Sequence, residues 1–108
     1  MFFALDDEGG LLYVFDTEAA ALAGFTDEEL EAEVVHFWDD GGVALKVEPT
    51  GAKQRLFARR VPTHRLVAAT AGAPLLKRLA DVTELDADAR LKSVDDVRRH
   101  LAASAAKL

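Results

Sequence analysis

Two apolar runs, FFALD and LLYVF, occupy residues 2–6 and 11–15, with only Asp7-Glu8-Gly9-Gly10 between them. A short break of acid and glycine supplies the positive φ angles of a tight turn, so the start of the chain predicts an antiparallel hairpin. The pattern recurs further on, where VVHFW is followed by Asp39-Asp40-Gly41-Gly42 and then VALKVE. In that last run Val43, Leu45 and Val47 alternate with Ala44, Lys46 and Glu48, the period of a half-buried strand. A chain built from such pairs forms a sheet, and the remaining segments must cover it.

The cover is expected from helices. Asp16 or Thr17 can cap the Ala-rich TEAAALAG, which Gly24 ends. Thr26 and Glu29 fit a capping box, and Leu30, Val34, Phe37 and Trp38 recur at helical spacing, so 27–38 admits a helix. Against this, the β-branched and aromatic density of VVHFW favours a strand. The expectation is a second hairpin, 33–39 with 43–48, preceded by at most one helical turn at 27–31. Residues 49–53 read as a turn, 54–61 as a strand and HRLVAAT as another. Pro74 suits the first position of a helix through PLLKRLADV. Ser93 with Asp96 caps a final helix that turns Val94, Val97, Leu101 and Ala105 inward and Arg98 and Arg99 outward. The predicted class is α+β: an antiparallel sheet of four to six strands built from hairpins, with two or three helices packed mainly on one face.

At 108 residues this is one domain, since two cores within that length would each be marginal. Half of the residues are apolar, enough for a core of its own. There is no cysteine, which excludes a disulfide framework and a thiolate zinc site. The opening MFFALDDEGG lacks a secretion-signal pattern, and no apolar run approaches the ~20 residues of a membrane span. A cytoplasmic protein without membrane partners is expected.

Charge is distributed unevenly. Residues 1–45 hold twelve carboxylates and no Lys or Arg, while 46–80 carry a net +7 and 81–108 are nearly balanced. Such asymmetry means either an interaction surface or neutralisation within the fold.

Chemistry finds little support. His36, His64 and His100 are isolated in sequence, and a lone His is more often structural than catalytic. Asp86-Ala-Asp88 begins like a calcium loop, but Arg90 stands where a third oxygen ligand belongs and the turn glycine is missing. The glycine pairs lack the spacing of a phosphate loop. No enzyme activity, metal or cofactor is expected. The basic segment 53–65, with Lys53, Arg55, Arg59, Arg60 and Arg65, is a weaker nucleic-acid candidate, because the acidic field of the rest repels a polyanion.

A protein partner fits better. Acids beside Tyr13, Phe37 and Trp38 combine a steering field with anchor-sized side chains. Adjacent strand residues face opposite sides, so Phe37 and Trp38 are both buried only if both sheet faces are covered; otherwise one awaits a partner. The expected contact centre is Glu33, Trp38, Asp39 and Asp40, with Asp27, Glu28, Glu29 and Glu31 as a steering rim.

The segments FFALDDEGGLLYVFDTEAAALA, VVHFWDDGGVALKVE and LKSVDDVRRHL resemble the small acidic immunity proteins encoded beside bacterial polymorphic toxins. The resemblance covers the first half and the last helix, in layout and turn style. It implies tight binding to a cognate toxin domain, encoded by the adjacent gene and carrying a basic active-site cleft. A regulatory or interaction domain unrelated to toxins is the alternative.

Overall fold

Strand β1 (Phe2–Asp6) is apolar on both sides: Phe3 and Leu5 point to one face and Phe2 and Ala4 to the other, and Phe3, Ala4 and Leu5 are buried. A strand of that kind needs cover above and below. The fold supplies it. The computed structural model describes residues 1–49, 64–69, 72–86 and 91–106. The predicted turn at 49–53 and strand at 54–61 therefore lie outside the described residues, apart from Pro49.

β1 pairs antiparallel with β2 (Leu11–Phe15) and, on its other edge, with β3 (Val35–Trp38). β3 pairs with β4 (Ala44–Pro49), and β4 with β5 (His64–Ala68), both antiparallel. A three-residue β6 (Glu84–Asp86) completes the order β5-β4-β3-β1-β2-β6. Both predicted hairpins form. In each turn one glycine takes the left-handed backbone, Gly10 at φ 67° and Gly42 at φ 79°.

The sheet is mixed, because β6 runs parallel to β2. The helix expected through PLLKRLADV ends at Val82, and no strand is predicted for Glu84–Asp86. What sets β6 in place is the first turn: the Gly10 carbonyl accepts the Thr83 N–H at 2.8 Å, and the Thr83 hydroxyl donates to the Gly9 carbonyl at 2.8 Å. The helix begun after Pro74 is correspondingly short. α3 spans Leu75–Arg78 and tightens into a 3-10 turn, Leu79–Asp81, with Pro74 at the cap position.

The other helices are α1 (Glu18–Ala23), capped by Thr17, α2 (Asp27–Glu31) and α4 (Val94–Ala106). They divide between the two faces instead of gathering on one. α3 and α4 deliver Leu75, Val97 and Leu101 onto Phe3, Leu5, Leu12 and Trp38. On the opposite face α1 and α2 deliver Ala21 and Leu30 onto Ala4, Val35 and Phe37, with Phe25 edge-on to Phe37 at 5.7 Å. Both aromatics of the Phe37-Trp38 pair are thus buried, at 2% exposure each, and neither is left bare for a partner. The choice at 27–38 resolves into helix and then strand. The Thr26–Glu29 capping box forms in full, and Glu33 at φ 57° turns the chain from α2 into β3.

Candidate interaction site

The acids of α2 owe part of their arrangement to the helix itself. Asp27, Glu28 and Glu29 occupy its first turn, where carboxylates meet unpaired N–H groups, and Glu29 accepts the Thr26 N–H at 3.0 Å. Glu31 and Glu33 have no such reason, because they lie at the end of the helix where the dipole opposes negative charge. All five side chains are exposed. Among the described residues no Lys or Arg forms an ion pair with any of them. Their neighbour across the fold is the imidazole of His64, nearly buried, with Nδ1 3.6 Å from Asp27 and Nε2 3.7 Å from Glu31.

Five of the described Lys and Arg side chains pair with other acids. Lys46 and Arg65 converge on Glu48, Arg98 on Asp95 and Arg99 on Asp96. Arg78 spans Asp81 and Asp7, and Asp7 is the one partner that comes from the acidic first 45 residues. Of the two readings of the charge asymmetry, neutralisation by the described bases therefore does not reach α2.

The hairpin tip is built differently. Asp39 Oδ1 accepts the N–H groups of Gly41 and Val43, both at 2.9 Å, and so forms the turn. Asp40 binds His100 Nε2 on α4 at 2.9 Å through its carboxylate and at 3.1 Å through its carbonyl; both atoms only accept, so Nε2 carries the hydrogen. The N-terminal amine stands 3.8 Å from the same carboxylate. Trp38, expected as an anchor, is in the core beneath Arg78, and its indole N–H donates to the Ala73 carbonyl at 2.9 Å. Burial against β1 and α3 removes it from the contact surface. The expected contact set thus divides: Trp38 and Asp40 engage the α3/α4 face, while α2 packs on the other.

Between the two regions the sheet opens. β3 and β4 pair only at Phe37–Leu45 and Trp38–Ala44; beyond that, Val35 and His36 part from Lys46 and Val47. The gap is a cleft of about 410 Å³ whose described walls are Leu30, Val35, Phe37, Leu45 and Val47, with Glu31, Glu33, His36 and His64 among its polar lining. His36 Nε2 donates to Asp7 at 2.5 Å, which fixes the ring. No hydroxyl or thiol lines the cleft among the described residues, and no group of three or more His, Asp or Glu side chains there could hold a metal ion.

Sequence reasoning missed the cleft and the role of His64. Neither has a local signal, because one is a strand divergence and the other joins β5 to α2 across more than thirty residues. No known family profile matches the chain, and no curated protein or solved structure is significantly similar to it.

Proposed function

We propose that this protein is an immunity protein, which neutralises a cognate bacterial toxin domain by docking an acidic surface centred on α2 against a basic cleft of the toxin. The observation that carries the reading is the set Asp27, Glu28, Glu29, Glu31 and Glu33: five exposed carboxylates in seven residues without a described Lys or Arg partner. Crowding such a set together without a described Lys or Arg costs the fold repulsion, and a basic partner removes that cost on binding. It also steers encounter, raising association toward ~10⁸ M⁻¹s⁻¹ at low salt, which matters when free toxin is lethal. A cytoplasmic site of action goes with this reading. Among the described residues no helix is long and apolar enough to cross a membrane.

The test is co-expression with the product of the adjacent gene. Copurification, protection of the host and an association rate that falls with salt are expected. A neighbour that is no toxin, or two proteins that do not bind, sinks the reading and leaves the alternative of an interaction domain unrelated to toxins.

A further inference from the structure

We propose that the cleft between β3 and β4 receives an arginine side chain of the partner. This rests on the binding reading above and names the group that the acidic surface captures.

Three features converge on that group. The cleft, at about 410 Å³, lies within the ~300–1,000 Å³ usual for small-ligand pockets and exceeds a surface dimple. Its walls are apolar, with Val35, Phe37, Leu45 and Val47 able to pack on a methylene stem. Its lining also includes Glu31 and Glu33, two exposed carboxylates with no Lys or Arg partner among the described residues. An apolar sleeve with acids on its lining is complementary to a side chain with an aliphatic stem and a cationic head. Of the basic side chains on the lining, Lys46 is drawn toward Glu48 at 3.4 Å and His36 toward Asp7, while the His64 imidazole lies 3.7 Å from Glu31.

Arginine fits better than lysine on hydration and shape. A guanidinium is held less strongly by water than an ammonium, so it loses less on entering apolar walls. Its planar fork of five donors can also serve two carboxylates at once. A long basic side chain anchored in this way gives the partner one central contact, while Asp27, Glu28 and Glu29 act around it as a charged rim.

The test uses the chain alone, so its outcome is independent of whether the toxin assignment holds. ¹⁵N-labelled protein is titrated with Nα-acetyl-arginine amide, and in parallel with the citrulline amide, which keeps the shape but lacks the charge. Saturable shifts at the Val35, His36 and Val47 amides are expected with arginine, at a Kd of roughly millimolar for a fragment of this size. The citrulline compound should bind at least about tenfold more weakly, as should arginine to the Glu31→Gln/Glu33→Gln variant. Silence at those amides, equal shifts with citrulline, or unchanged binding by the double variant would each overturn the proposal.

Discussion

Glu18 Oε1 accepts the backbone N–H of Leu66 at 2.7 Å, joining the first turn of α1 to β5, the last strand at one edge of the sheet. Among the described residues β5 pairs with β4 alone, and the part-buried Leu66 N–H takes Glu18 as its acceptor. A carboxylate acceptor to a part-buried N–H is stronger than a neutral one. Glu18→Ala should therefore lower stability by about 1–2 kcal/mol, and Glu18→Gln by less, since the amide oxygen still accepts. Urea denaturation of the three proteins checks the order. Equal stability would mean that water replaces Glu18 without loss.

Gly42 combines two constraints. Its φ of 79° strains any residue with a Cβ, and a Cβ there would stand 2.9 Å from Leu101 Cδ2 on α4. Its carbonyl also accepts the Leu75 N–H at 2.9 Å, so a shift of the turn is felt at the start of α3. Gly42→Ala should cost about 2–3 kcal/mol. Gly41→Ala meets only Asp39 Oδ1 at 3.5 Å and should change stability by less than about 0.5 kcal/mol. Thermal unfolding of the pair separates the two glycines.

Those two glycines also show what local sequence can reveal. Asp39-Asp40-Gly41-Gly42 between alternating strands announces its turn, because turn chemistry is contained in four residues. The Thr26–Glu29 capping box was legible for the same reason. β6 was not: Glu84-Leu85-Asp86 is too short to show a period, and it forms because Thr83 meets the Gly9-Gly10 turn from far along the chain. The two-sided cover was implicit in Phe2-Phe3-Ala4-Leu5, apolar at every position, yet only the placement of Leu30 and Val97 shows which helix takes which face. The acids of the candidate site were readable as a run. Which of them the fold engages was not, since Asp27 and Glu31 meet His64 and Asp40 meets His100 from far along the chain.

Trp38 is the chain's single tryptophan and is buried, which makes it a reporter of its own role. Its emission in the native protein should be blue-shifted from that of free tryptophan and resistant to acrylamide quenching. Trp38→Ala should cost roughly 3–5 kcal/mol, as expected for a buried aromatic. Trp38→Phe should cost less while removing the donor to Ala73. Red-shifted, freely quenched emission would place the indole at the surface and return it to the contact set.

Glu28 and Asp40 provide the sharpest contrast between an acid held by the fold and one left outward. The side chain of Asp40 is bound by His100, with 58% and 26% of the two side chains exposed, so the pair is weakly stabilising. Asp40→Asn should cost less than about 1 kcal/mol and leave partner association nearly unchanged. Glu28 is exposed on the first turn of α2, and its reversal to Lys loses only a favourable dipole term of about 0.3–1 kcal/mol. In the docking reading, that same reversal faces a basic partner and should slow association several-fold at low salt, with little change in dissociation. Stopped-flow association across an ionic-strength series, beside denaturation of each variant, measures both quantities. If Asp40→Asn slows association and Glu28→Lys does not, the contact surface is the hairpin tip and not α2.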